Sequence, residues 1–311
     1  MEDWTYGVGI ALCALLWVHI FIDYRKKLMR VMPGVEQVAS RKREFNDKIS
    51  EAESSRADMV GQIEGLRDGI VGMEEERREL QEKLNQREMV LVPAGDLRMG
   101  SNSPGHEEEN PEHKVRLKPF YLDRHEVTNM QYKDFVDVAG HRTPVHWQNG
   151  TFPNGKADHP VVNVSWEDAR VYAEWVGKRL PTEAEWEWAA RGTEQREYPW
   201  GKQCTPDFAN YANAEGKTTS VTKYPKGASE FGLLDMCGNV GEWVSDWFEE
   251  KYYARSPESD PQGPPEGSIK VYRGGGYHTN RMDIRAAARH SANPTVYQEY
   301  IGFRCAMDVS S

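Results

Sequence analysis

Arg273-Gly274-Gly275-Gly276-Tyr277-His278-Thr279-Asn280, continued by Ile301-Gly302-Phe303-Arg304, is the stretch on which the reading of this chain turns. Three consecutive glycines let backbone pass where no side chain would fit. The glycines and the residues that follow carry Tyr277, His278, Asn280, Arg281, Arg285, Arg289, His290, Asn293 and Tyr297. Aromatic, amide and arginine side chains of this kind suit contact with a ligand or a protein partner. Arg285 and Arg289 have a plainer alternative as internal ion-pair partners in an acidic chain. Taken alone the stretch decides nothing, and its surroundings give it meaning.

The 311 residues are enough for a large domain with accessories. A net charge of -10 argues against a general nucleic-acid binder, so no nucleic-acid partner is expected. Most of the ten Trp and fourteen Tyr lie after residue 120, which places an aromatic core there. Cys13, Cys204, Cys237 and Cys305 form no C-x-x-C pair, so a zinc ribbon or thioredoxin-type motif is excluded. Cys237 and Cys305 sit among apolar or small neighbours and read as buried thiols.

Thr5 to Ile22 reads TYGVGIALCALLWVHIFI, long enough for a short transmembrane helix. The alternative, a signal peptide, wants a basic start and a small-residue cleavage site, and the chain begins Met-Glu-Asp. Residues 1–30 are therefore expected to be a membrane anchor that meets lipid through residues 5–22. Arg25, Lys26, Lys27 and Arg30 follow the run. By the positive-inside rule the bulk of the chain is cytoplasmic, with the periplasmic or extracellular face as the other orientation.

Residues 31–88 change character. Val35, Val38, Lys42, Phe45, Ile49, Ala52, Arg56, Met59, Ile63, Leu66, Ile70, Met73, Arg77, Leu80 and Leu84 alternate spacings of three and four. That is an a/d heptad seam over 35–84, and it predicts a coiled-coil stalk joining copies of this chain or a hetero-complex. A solvated single helix is the alternative, because the surface is heavily charged. Lys42, Arg56 and Arg77 at a positions favour few strands and a fixed register. Gly61, Gly65, Gly69 and Gly72 each cost about 1 kcal/mol of helix stability against Ala.

At Met89 the heptads stop. Val90–Gly95 and Leu97–Gly100 read as two short strands around a turn, and Lys114–Asp123 as a third strand. Helices are expected over Glu126–Ala139, Trp166–Gly177 (capped by Ser165 with Asp168) and after Thr182, whose box partner is Glu185. Residues 192–230 lack a period and read as a long loop that something must fix.

Four segments then carry a family resemblance. They are EVTNMQYKDFV (Glu126–Val136), PVVNVSWEDARVYAEWVGKRLPTEAEWEWAARG (Pro160–Gly192), FGLLDMCGNVGEWVSDWF (Phe231–Phe248) and RGGGYHTN…IGFRC. In this order they resemble the formylglycine-generating enzyme, or sulfatase-modifying factor, family across residues 89–311. The resemblance implies an α+β domain of the C-type-lectin-like kind, with little regular secondary structure and structural calcium.

The residues agree about calcium. Asp235 and Glu242 flank a turn able to aim carbonyls inward, and calcium takes six to eight such oxygens. Simple turn capping is the alternative. The resemblance assigns the ion to Asp235, Glu242 and the backbone oxygens of Gly238 and Val240, and a second site to Asn210 and Tyr211. No aspartate completing that second site is found.

The oxidase members of the family carry a copper-holding cysteine pair after the glycine motif. Those positions fall at Thr279 and Ile284 here, so no copper is expected, because Cu(I) needs thiolate or thioether ligands. Iron-type relatives use clustered histidines, and those of this chain are scattered. The family's Trp before the acidic residue of N-V-W-E-W is Gly241 here, which should open space or be compensated by a neighbour. Three readings result: a non-catalytic binding or scaffold domain, a subunit of a membrane complex, or an enzyme of the same superfamily acting on a peptide or small molecule.

Overall fold

The computed structural model of the chain describes residues 16–18, 20–24 and 35–309. The chain divides into two units, Met1–Leu80 and Gln81–Ser311.

Helix α1 runs Val35–Glu88, where the heptad spacing requires it, so that most of it belongs to the first unit and its last turns to the second. The seam residues Met59, Ile63, Leu66, Ile70 and Met73 are all exposed along it. A Glu44–Lys48 pair at 2.9 Å supports one turn of its surface. The expected membrane span is not borne out. Among the described residues no helix is long and apolar enough to cross a membrane. The short helical pieces at 16–18 and 20–24 are brief, and α1 is charged from Arg41 onward. Residues 5–15 and 19 of the expected span lie outside the described residues. With the span fall the single-pass placement and the cytoplasmic location inferred from it.

The second unit is mixed helix and sheet. β1 (Met89–Val92) pairs antiparallel with β4 (Phe120–Asp123), which pairs with β9 (Ala306–Asp308). The start and end of the unit thus meet in one sheet. β2 (Gly95–Met99) and β3 (His113–Leu117) form a ribbon. β5 (Gly241–Trp247), β6 (Lys270–Arg273), β7 (Arg289–Ala292) and β8 (Ile301–Gly302) form a sheet in the order β7-β6-β5-β8.

Two strand expectations change. β1 and β2 do not pair around a turn. The Trp188 indole donates to Pro93 O at 2.9 Å and lies where a Cβ on Gly95 would stand, so this segment packs against a helix. The single strand expected over Lys114–Asp123 is split at Lys118-Pro119 into β3 and β4.

Helices α2 (Asn129–Ala139), α3 (Trp166–Trp175) and α4 (Glu183–Arg191) each begin with a complete capping box: Thr128 with Gln131, Ser165 with Asp168, Thr182 with Glu185. Each box satisfies two backbone donors that the first turn leaves without partners. α4 is buried almost throughout, and its Trp186 is fully enclosed. The long loop at 192–230 is pinned from several sides. Gln195 bonds the strand backbone at Arg98 and Asp96, and Ala212 and Asn213 donate to Thr279 O and Tyr277 O.

Candidate cation site and the glycine-rich segment over it

The turn between Asp235 and Val240 is built from unusual backbone. Asp235, Gly238 and Asn239 have φ of 53°, 89° and 59°. A Cβ on Gly238 would stand 2.6 Å from Asn210 O, so only glycine fits. Gly238 N–H donates to Gly274 O at 2.9 Å, and Tyr277 N–H donates to Asn239 O at 2.8 Å. The glycine-rich segment is therefore strapped directly onto this turn. Gly274 shows why: its Cβ would meet Met236 O at 2.9 Å.

Beneath the strap lies a group of buried carboxylates. Both carboxylate oxygens of Asp235 are enclosed with no hydrogen-bond partner, as are Oε2 of Glu126 and Oδ1 of Asn210. Burial pushes the Asp235 carboxyl up to about 8, with Glu242 adding to the rise and Arg304 opposing it. Burial, then Asp235, hold Glu126 well above the usual carboxylate range. Buried anionic oxygens without donors are costly unless something positive meets them. A hard cation such as calcium takes oxygens of this kind.

Glu242 differs from the expectation. Its Oε2 accepts from Arg304 Nε at 2.7 Å and from Trp186 Nε1 at 2.8 Å, and its Oε1 accepts from Arg304 Nη2 at 2.7 Å. Its charge is already matched by a guanidinium. Glu126 was not expected here, since in sequence it only precedes a helix. No local pattern marks it, because its partner Asn239 is 113 residues away. Asn210 is fully buried beside the same turn, its backbone oxygen accepting from Asn239 N–H at 2.8 Å, and Tyr211 hydroxyl donates to Cys204 O.

The glycine-rich stretch keeps some of its expected ligand-facing residues and loses others. Arg285 is buried and forks onto Glu109 at 3.0 and 2.7 Å. Arg289 forks onto Glu183 at 2.7 and 2.9 Å and stacks over the Tyr253 ring. Both are internal ion-pair partners and are removed from the contact surface. Arg273 joins them, bonding Glu183 and Glu187 at 2.7 Å each. Tyr277 is largely buried, and its hydroxyl donates to Glu299 at 3.1 Å. His278, Asn280, Arg281, Asn293 and Tyr297 are exposed. His278 packs on the Tyr300 ring, and Arg142 lies 4.4 Å over the Tyr297 ring. Burial lowers the His278 pKa.

Thr279 and Ile284 face each other across Gly275, whose Cβ would come within 2.9 and 3.0 Å of their methyl groups. Thr279 Oγ1 also accepts from Gly276 N–H at 3.0 Å. The described cysteines lie elsewhere. Cys237 and Cys305 are fully buried, and burial pushes both thiols well above their ordinary value. At Gly241 no space opens. The Tyr272 ring covers it, and a Cβ there would stand 2.6 Å from Cδ2 of that ring.

The domain model for sulfatase-modifying factor enzyme 1-like proteins matches residues 74–309. The chain belongs to this family. It is similar to formylglycine-generating enzyme of Streptomyces coelicolor, at 38% identity over 71% of this chain and 90% of that protein. It is also 41% identical, over 72% of its length, to serine/threonine-protein kinase pkn1 of Chlamydia pneumoniae, but covers only 38% of that protein. Among solved structures it resembles PvdO from Pseudomonas aeruginosa, with a TM-score of 0.60, 28% identity, and coverage of 71% of this chain and 94% of that one. The C-type-lectin-like α+β reading of the sulfatase-modifying factor domain stands.

Two further features complete the domain. His106 Nδ1 lies 3.5 Å from Glu109 and 3.7 Å from Glu108, but Glu109 is already neutralised by Arg285. A cavity of about 590 Å³ opens between Gly100–Ser103 and Glu194–Lys202, with Arg285 and Ala287 in its wall.

Proposed function

We propose that this sulfatase-modifying factor domain, residues 89–311, is a calcium-stabilised binding module without copper-oxidase activity, whose partner is a protein. The observation that carries the reading is the pairing of Thr279 with Ile284 over Gly275, where the oxidase pattern calls for thiols. A hydroxyl and an aliphatic chain cannot replace two thiolates for Cu(I). Burial pushes the thiols of Cys237 and Cys305 up, which disfavours the thiolate form that binds metal. The chlamydial likeness fits too, since there a domain like this occupies about two fifths of a protein named as a kinase. Asp235, with its two buried oxygens without donors, supports calcium, with Gly238 and Val240 supplying backbone oxygens. The exposed His278, Asn280, Arg281, Asn293 and Tyr297 are the side chains we assign to the partner surface.

Residues 31–88 are proposed to pair with a second copy of this chain through the seam at 35–84, whose three-four repeat is self-complementary and whose Met59, Ile63, Leu66, Ile70 and Met73 are exposed. Light scattering on the full chain tests this, and a monomer at micromolar concentration would refute it.

A second reading, an enzyme of the same superfamily, is favoured by the coverage of nearly the whole Streptomyces enzyme. Competition with a chromophoric Cu(I) chelator separates the two. The binding-module reading predicts that the protein extracts no copper, and tight stoichiometric uptake would favour the enzyme.

A further inference from the structure

We infer that Lys156, His159, Lys217 and Thr218 form a binding site for a dianionic phosphate group, where residues 156–159 meet residues 217–221. The site is separate from the partner surface proposed above and does not depend on it.

The chemistry follows from what these residues lack. Among the described residues, neither Lys156 nor Lys217 forms an ion pair with a carboxylate. Lys156 Nζ instead lies 3.2 Å from His159 Nδ1 and donates to Thr218 O at 3.3 Å. Thr218 Oγ1 lies 3.1 Å from the same ring nitrogen. The acidic side chains nearby are already engaged. Glu215 pairs with Lys223 at 2.5 Å, and Asp158, which attracts protons to both Lys156 and His159, is held by the Ser220 hydroxyl. Two ammonium groups and an imidazole therefore meet without an anion between them, in a chain whose net charge is -10.

This crowding has a cost. Burial, then Lys156, hold the His159 pKa below its ordinary value, and burial, then Lys217, do the same to Lys156. Like charges disfavour one another, and a dianion set among them reverses the sign of that interaction. Ammonium, hydroxyl and imidazolium groups are the donors that phosphate oxygens accept from. Both segments are fixed without a ligand. Asn129 donates from N–H to His159 O at 2.9 Å and from Nδ2 to Lys156 O at 2.8 Å. Asn210 Nδ2 donates to Lys217 O at 2.9 Å, and Val221 N–H joins the two segments by donating to Asp158 O at 3.0 Å. Preformed donors lower the ordering cost of binding. Lys156, His159 and Thr218 are half-buried and Lys217 is exposed, so an ion reaches the group from solvent.

The test uses the full chain with 13C-labelled histidine, the His159 resonance being assigned with His159→Gln. The His159 pKa is followed by NMR in inorganic phosphate and in chloride of equal ionic strength. It is expected to be at least about 0.5 higher in phosphate, because a nearby opposite charge favours the imidazolium. Lys156→Gln should abolish that difference. A peptide carrying one phosphoserine among neutral residues distinguishes the sources of the group. A larger rise with the peptide assigns the site to a phosphate carried on a protein, and no larger rise assigns it to the free ion.

A His159 pKa that is the same in phosphate and chloride overturns the inference. So does a rise of equal size in Lys156→Gln, which would make it an effect of the solution and not of the site. If Lys156→Gln does not fold, Lys217→Gln, at an exposed position, is titrated in its place and read the same way.

Discussion

Arg304 and Glu242 make two 2.7 Å contacts with neither side chain exposed to solvent, and the same guanidinium caps the carbonyls of Asp123, Arg124 and Leu234. This one side chain from the GFR end of the glycine-rich stretch ties the first sheet, the segment leading into the Asp235–Val240 turn, and β5 together. Removing one partner of a buried pair leaves the other charge without compensation. Arg304→Met should therefore cost about 3–5 kcal/mol in urea unfolding. Arg304→Lys should recover little, because an ammonium cannot fork onto Glu242 while reaching three carbonyls. A loss below about 1 kcal/mol for Arg304→Met would contradict this role.

Gly241 gives a second prediction. Gly241→Ala places a methyl 2.6 Å from the Tyr272 ring, which is itself stacked on His290 at 5.1 Å. Overpacking of this kind costs about 1–3 kcal/mol. The double variant Gly241→Ala, Tyr272→Ala should show coupling, with the two losses adding to more than the loss of the pair. Strict additivity in thermal melts would mean that the ring does not fill the place of the missing indole.

Asp246 predicts a pH dependence. Its carboxylate accepts from Glu183 N–H at 2.8 Å, at the start of α4, and from Ser245 Oγ at 2.9 Å. Burial, then the neighbouring Glu183, push its pKa up from 3.8 to about 7. The folded state thus binds a proton that the unfolded chain has released. This contribution is complete below the unfolded value and is lost as pH rises through the folded one. Stability should fall between pH 4 and 7 by at most about 1.4 kcal/mol per pH unit from this group. Asp246→Asn should flatten that part of the profile. An unchanged slope in the variant would refute the assignment.

Calcium removal gives a fourth prediction. A ligand that binds only the folded state at a hundred times its Kd stabilises by about 2.7 kcal/mol. Chelation should lower the melting temperature of wild type and leave Asp235→Asn almost unaffected. A chelator response of equal size in both would remove Asp235 from the site.

The sequence made some layers plain and hid others. The capping boxes at Ser165 and Thr182 were legible because capping is local chemistry, three residues long. The family motifs located the turn from Asp235 to Glu242 for the same reason. Glu126 was not legible, since its meaning depends on Asn239; Arg285 was readable as an internal ion-pair partner, but not its partner Glu109, 176 residues earlier. Ion pairs that span the chain leave no periodic trace. The apolar run at 5–22 shows the opposite error, in which composition over a short window outweighed the charged helix that follows it.

We propose that the place over Gly275, held by Thr279 and Ile284, does not oxidise a cysteine. The most direct measurement is to incubate the protein with a sulfatase-type cysteine peptide, Cu(I) and oxygen, and to look for aldehyde with a hydrazide reagent and by mass. No aldehyde above the protein-free control is expected. Aldehyde product formed in multiple turnovers would contradict it.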